Sequence, residues 1–268
     1  IDIEGSIVAN SGVVNISGTT NTGTSAVFLG DTASIDVSGV DATAPMSRNQ
    51  LAIQLYSQQL NDSPILRGGA LFGQTLYLDA RKGTSIISQS VINDALQSQQ
   101  RTIAERMTDG GTVSLLGDSV ISKAGSSINI ANGVTHYAAG TIVESNLFYN
   151  GVWVNASDAK AGVPYSGINS QYSITDARWG VTRTWQLNSS TAGQYQPAYD
   201  EGGSAGTVDV TATNQMALQG GILSQTTAGI YQRGETANNA IPSGGTLNVT
   251  YSGAGTLTLT NSPSKLGD

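Results

Sequence analysis

Cysteine is absent from the chain and histidine occurs once, at His136. Disulfides, thiolate zinc sites and cysteine nucleophiles are therefore excluded, as are a His-rich metal site and an H-E-x-x-H zinc motif. A Ser-His-Asp triad would have to use His136, which stands beside Tyr137 with no nucleophile-elbow motif anywhere in the chain. An exposed or structural histidine is the plainer reading. Charge is also scarce, at 12% of residues against roughly 25% in an average soluble protein. With a net charge of −7 and a pI near 4.6, the protein has no long-range field to attract phosphate, which argues against a nucleic-acid partner. No run approaches the roughly 18 apolar residues of a membrane span, so no membrane insertion is expected. Neither G-x-x-x-x-G-K-[ST] nor G-x-G-x-x-G is present, and no cofactor or metal is expected. No basic, then apolar, then small-residue leader opens the chain, which starts at Ile1 in mid-pattern. It reads as a piece of something longer.

What is abundant is Gly, at 33 residues, with Ser, Thr and Asn beside a 38% hydrophobic fraction. That hydrophobic content, at so low a charge, belongs to a chain that folds. Short alternating segments recur, each closed by Gly, Asn or Asp. They include Val14-Asn15-Ile16-Ser17, Ser34-Ile35-Asp36-Val37, Val113-Ser114-Leu115, Ser127-Ile128-Asn129-Ile130, Thr207-Val208-Asp209-Val210, Thr246-Leu247-Asn248-Val249 and Thr256-Leu257-Thr258-Leu259. Period two with β-branched residues predicts half-buried strands. Four of these have a Gly-Thr lead-in, at Gly111-Thr112, Gly206-Thr207, Gly245-Thr246 and Gly255-Thr256. Strands of three to five residues carry only about two inward side chains each. They become a continuous core when layers stack as a solenoid, with each strand parallel to its equivalents above and below. An antiparallel β-sandwich with turns every 8–12 residues or so is the alternative. The repeated Gly-Thr entry favours the solenoid.

Residues 1–268 read as a single segment whose rhythm is broken three times. Residues 41–66 hold Pro45, Pro64 and the alternating Leu51, Ile53 and Leu55, an extra strand on a loop. Residues 91–108 place Ile92, Leu96, Ile103 and Met107 at helix-like spacings. Residues 132–200 hold ten of the sixteen aromatic residues and all three tryptophans, which marks an insertion with some core of its own or a cap.

Several stretches resemble one family. The succession Ser34 to Asp41, then Pro45-Met46-Ser47-Arg48-Asn49, Leu60 to Arg67 and Arg81-Lys82-Gly83-Thr84 is similar to a block of filamentous-haemagglutinin-like exoproteins of two-partner secretion. Ser166-Gly167-Ile168, Arg178-Trp179-Gly180-Val181-Thr182, Tyr199 to Thr207 and Gln232-Arg233 follow in the same order. The resemblance implies a right-handed parallel β-helix and export through an outer-membrane secretion partner of a Gram-negative bacterium. It further implies display at the cell surface or release, with a role in adhesion, biofilm formation or contact-dependent toxin delivery. The part that engages the secretion partner is N-terminal in such proteins and has no counterpart here, so an interior or distal stretch is implied.

Two classes of function stand. One is a non-enzymatic adhesive segment that meets a host or bacterial surface glycan or protein receptor, with a passive stalk for toxin delivery as its limiting case. The other is a carbohydrate-active β-helix enzyme, for which Asp31, Asp36, Asp109, Asp118 and Asp209 would have to meet on one face. Asp at turns and strand ends is more often an Asx-turn or a solvated corner. The Gly202-Gly203 segment does not fit the calcium nonapeptide, because Asp209 comes too late. For adhesion, the candidate contact residues are Tyr149, Trp153, Arg178, Trp179, Arg183 and Trp185. Broad aromatic faces stack on sugars or fill a partner's pocket, and planar guanidinium groups suit carboxylates.

Overall fold

The computed structural model describes residues 1–18, 25–169, 171–176, 178–186, 193–234 and 240–254, with backbone alone for 171–175 and 184–186. The predicted strand at Gly255-Thr256-Leu257-Thr258-Leu259 lies outside the described residues. The protein is mainly β, arranged as several separate parallel and antiparallel sheets. The largest sheet runs Asp2–Ile3, Ala26–Leu29, Thr112–Ser122, Thr207–Leu218, Thr246–Tyr251, with Val13–Ser17 also paired to Thr112–Ser122, and all of these pairs are parallel. A second parallel sheet joins Ser6–Val8, Ser34–Asp36, Ser127–Asn129 and Gly221–Leu223.

The alternating segments thus pair as equivalents. Val14, Val113, Val208 and Leu247 share one register position, and Ile16, Leu115, Val210 and Val249 another. On the second sheet Ile7, Ile35, Ile128 and Ile222 align. Apart from Leu247 and Val249, these residues, with Val27, Leu29, Val37, Val120 and Ile130, pack into one core between the two sheets. Val208 and Val210 are buried, but Leu247 is 48% exposed and Val249 only half-buried. Their inward direction is as the alternation predicts. Their burial is less, because Thr246–Tyr251 is the last described strand of its sheet and has a neighbour on one side only.

The Gly-Thr lead-ins have a backbone reason. Thr112 N–H donates to Gly12 O at 2.9 Å, Thr207 N–H to Gly111 O at 3.0 Å and Thr246 N–H to Gly206 O at 3.0 Å, so each lead-in docks on the glycine carbonyl of the layer before it. A Cβ on Gly206 would stand 1.9 Å from Gly111 O, and one on Gly111 2.0 Å from Gly12 O. Only glycine lets the layers approach this closely. Gly206→Ala is expected to destabilise the protein by about 3 kcal/mol through overpacking against backbone that cannot yield, read as a lowered denaturant midpoint. An unchanged midpoint would mean that the layers are not held at this spacing.

Two strands are far longer than the three to five residues expected. Thr112–Ser122 has 11 residues and Thr207–Leu218 has 12. Each continues past its first apolar pair because Thr112–Ser122 is flanked by two successive short strands, Val13–Ser17 and Ala26–Leu29. A register shift between Ala212 and Gln215 absorbs the corner.

The excursions differ from expectation in three respects. Ala42–Ala44 is not loop but a strand, parallel to Val134–Tyr137, which in turn pairs antiparallel with Tyr199–Gly202. Leu51, Ile53 and Leu55 do start an extra strand: Gln50–Gln54 forms an antiparallel pair with Thr75–Asp79. The stretch 91–108 is not one helix but two, α1 (Gln89–Gln97) and α2 (Ile103–Arg106), with Ile92 buried and Ile103 68% exposed. Ser88 caps α1, and Thr102 with Glu105 forms a capping box that starts α2 anew, so the helical spacing does not carry across. Finally, among the described residues the aromatic insertion does not form a separate core of rings. Leu51, Leu55, Leu60, Leu66, Leu71, Leu76, Leu78 and Ile92 pack with Leu147, Tyr165 and Ile168 in one cluster, so the two insertions share a largely aliphatic core.

Candidate functional site

The aromatic insertion contains a five-stranded antiparallel sheet in the order Val152–Asn155, Asn146–Tyr149, Gly167–Ile168, Gln171–Asp176, Val181–Gln186. Trp153 lies on one edge strand, and Arg183 and Trp185 on the other. At the usual interstrand spacing these edges are about 19 Å apart, so the six candidate residues do not form one surface. Trp153 is half-buried with its ring 5.0 Å from Phe148. Tyr149 is half-buried against the shared core, 6.1 Å from Tyr165. Both serve packing. Arg183 is exposed, and the Trp185 side chain lies outside the described residues.

Arg178 and Trp179 are brought together. They sit at the tip of the hairpin between Gln171–Asp176 and Val181–Gln186. Asp176 organises this tip: its Oδ1 accepts from Arg178 N–H at 2.9 Å and from Trp179 N–H at 3.4 Å, and its carbonyl accepts from Gly180 N–H at 2.8 Å. Gly180 has φ 63°, the left-handed turn that lets the chain re-enter the sheet. Trp179 is 69% exposed, with the Arg178 guanidinium 5.1 Å from its ring centre. A cation over an exposed indole makes a flat amphipathic face suited to a sugar ring or an acidic group.

Sequence reasoning missed a second constellation, the polar joint where the insertions meet the parallel sheets. Arg81 is buried and holds Asp79 through two arms, Nη2 to Oδ2 at 2.6 Å and Nε to Oδ1 at 2.9 Å. Its plane lies 4.5 Å from the Tyr231 ring centre and 5.1 Å from that of Tyr199. Tyr199 stacks on Tyr137 at 4.7 Å and accepts from Asn49 Nδ2 at 2.7 Å. Beside them a cavity of about 110 Å³ is lined by Arg48, Arg101, Glu105, Thr135, Tyr137, Glu201 and Gln232, among others. Arg48, Asn49, Arg81, Tyr199, Glu201 and Gln232 stand in the stretches quoted for the family resemblance, and the Thr102-to-Glu105 spacing fits a capping box, but no local signal says that they meet. They converge from distant segments.

The two carboxylates of this cavity are shifted in opposite directions. Burial pushes the Glu201 carboxyl above the usual range, incompletely offset by Arg81, by the Tyr137 and Tyr199 hydroxyls and by Arg101. Burial also acts on Glu105, but the Thr102 N–H at 2.5 Å and the Arg48 guanidinium at 2.8 Å outweigh it and hold this carboxyl low. Burial, then the Glu201 charge, pushes Tyr137 up to about 12. A carboxyl raised on folding stabilises the fold below its ordinary pKa of about 4.3, and that contribution is lost as pH rises through the folded value. Above that window Glu201→Gln is expected to be more stable than the parent, and below it to be equal. Thermal unfolding across pH 3–8 checks this. A constant difference across the range would remove Glu201 as the titrating group. Glu105 works with the opposite sign, its stabilisation being lost as pH falls.

Four of the five aspartates considered for catalysis or calcium are engaged by neighbouring backbone or side-chain groups. Asp36 accepts from Ser38 N–H, Asp109 from Ser204 N–H, Asp118 from Ser25 N–H and Thr213, and Asp209 from Asn248. They cap turns and link layers. Among the described residues no group of three or more His, Asp or Glu is placed to hold a metal ion. His136 pairs through Nδ1 with Asp200 at 2.7 Å on the exposed side of its strand. Among the described residues no helix is long and apolar enough to cross a membrane.

No family model, curated protein or solved structure matches this chain.

Proposed function

We propose that this chain is a non-catalytic, adhesive segment of right-handed parallel β-helix from a filamentous-haemagglutinin-like exoprotein. Such a protein is exported from a Gram-negative bacterium through an outer-membrane secretion partner and displayed at the cell surface. The parallel register that aligns Val14, Val113, Val208 and Leu247 supports the β-helix, because stacked equivalent strands are what a solenoid requires. The observation that carries the adhesive role is the Arg178–Trp179 hairpin tip. A large indole 69% exposed on a rigid turn, with a guanidinium against it, is costly to leave in water and suited to a surface glycan or protein receptor.

The test is binding of the purified chain to glycans and cell-surface extracts. Trp179→Ala is expected to cut binding about tenfold or more, in line with the loss of one aromatic anchor, with circular dichroism unchanged. Unaltered binding by that variant would remove the hairpin tip from the contact surface. Absence of any binding by the parent chain would favour a passive stalk of a toxin-delivery protein.

A second reading, a carbohydrate-active β-helix enzyme, draws on the polar cavity. There Glu201 and Glu105, shifted in opposite directions, stand with Arg48 and Arg101, and two carboxyls with separated pKa values are what acid–base cleavage of a glycosidic bond uses. Glu105, however, is engaged on both oxygens, by Arg48 and by its capping box. The cavity alone is small for a polysaccharide. Turnover of a polysaccharide panel that is abolished in Glu201→Gln would establish the enzyme and displace the first reading.

A further inference from the structure

At the C-terminal end of α1 and along α2 runs an open groove of about 520 Å³, lined by Leu96, Gln97, Gln99, Gln100, Arg101 and Arg106. Its size falls within the usual range for small-molecule sites. Arg48, Arg67, Arg81 and Arg233 each use the guanidinium in a hydrogen bond and Arg178 lies against the Trp179 ring, while Arg183 is exposed on the edge strand of the hairpin sheet. The guanidinium groups of Arg101 and Arg106 have no hydrogen-bond or ion-pair partner among the described residues, although the Arg101 charge acts on Glu201 across the adjoining cavity. Two unpaired guanidinium groups on one groove call for an anion. Their planar forks match carboxylates in a way that a lysine pair would not.

The groove also needs donors. Gln99 Oε1 is shielded from solvent and has no hydrogen-bond partner among the described residues. That acceptor suits a hydroxyl rather than a carboxylate once the Gln99 side chain turns it into the groove it lines. Gln97 and Gln100 add amides that donate and accept, the pattern that vicinal hydroxyls meet. Leu96 is the one apolar side chain in the lining, enough for the face of a sugar ring and too little to anchor a peptide side chain. Arg101 further lines the adjoining polar cavity, where Thr135, Tyr137 and Glu201 offer additional hydroxyl partners.

We propose that this groove binds a carboxylated oligosaccharide, with its carboxylates on Arg101 and Arg106 and its hydroxyls on the glutamines and in the cavity behind Arg101. The site is separate from the Arg178–Trp179 hairpin tip and does not depend on it. The experiment is calorimetric titration of the whole chain with trigalacturonic acid, its uncharged galactose counterpart, a sulfated trisaccharide and hexaglutamate. Trigalacturonic acid is expected to bind, to weaken with salt, and to lose roughly tenfold or more in affinity in the Arg101→Ala/Arg106→Ala double variant. The Arg101→Lys/Arg106→Lys variant, which keeps the charge and loses the fork, should recover only part of that loss. Circular dichroism and the unfolding midpoint report that the variants are folded. Equal affinity for the uncharged sugar, the sulfated sugar or hexaglutamate would overturn the assignment. So would no binding of trigalacturonic acid, or binding unaffected by the double alanine variant. Cell binding lost on changing Trp179 is read in a different assay, so failure here and failure of the adhesive tip are distinguishable.

Discussion

Arg81→Met is expected to cost about 3–5 kcal/mol of stability, because it strands a buried carboxylate. Asp79 is almost fully buried at the end of its strand. Besides Arg81 Nη2 and Nε, its Oδ1 has only the Arg81 backbone N–H at 3.0 Å among the described residues. Removing the guanidinium also removes its contacts with the Tyr199 and Tyr231 rings and the 3.0 Å bond to Gln196 Oε1. Arg81 therefore ties the end of the Thr75–Asp79 strand to segments more than a hundred residues away. The double change Asp79→Leu/Arg81→Met should recover much of the loss, since an apolar pair leaves no unpaired charge. Chemical denaturation of the two variants checks this. A double variant no more stable than the single one would show that the ring contacts, and not the ion pair, hold the joint.

Val210→Asp should be comparably damaging, about 3–5 kcal/mol, while Val249→Asp at the same register position should cost clearly less, about 1–2 kcal/mol. The two residues are stacked partners on adjacent parallel strands, but Val210 is sealed between layers and Val249 is half-buried at the end of the described sheet. An aspartate at the end can turn to water, and one at Val210 cannot. Equal losses at both positions would mean that Thr246–Tyr251 is covered as fully as Thr207–Leu218.

The alternation of Val208, Val210, Leu247 and Val249 and the Gly-Thr lead-ins were enough to anticipate strands whose equivalents stack. Both signals are local: side chains alternate along any strand, and a glycine is needed wherever the next layer's carbonyl occupies the Cβ position. The helical spacing over 91–108 was legible only as far as Leu96, because the capping box at Thr102 restarts the helix and leaves Ile103 in water. Of the tryptophans singled out, Trp179 is exposed beside Arg178, whereas the Trp153 ring packs against Phe148. A ring's identity does not say which side of a sheet is covered.

The sequence by itself determined that this protein is mainly β, that its short strands carry two inward apolar residues each, and that cysteine and histidine-cluster chemistry is closed to it. Composition and period are enough for those conclusions, since they depend on single residues and near neighbours. Only the tertiary structure decided that the insertions after Ala44 and Tyr137 share one aliphatic core, that Arg81 lies against both Tyr199 and Tyr231, and that Arg101 joins the groove to the cavity of Glu201. Those contacts join segments whose separation along the chain is set by whole layers of the stack. Which side chains then face each other depends on where each layer's corners fall, and no local period records that.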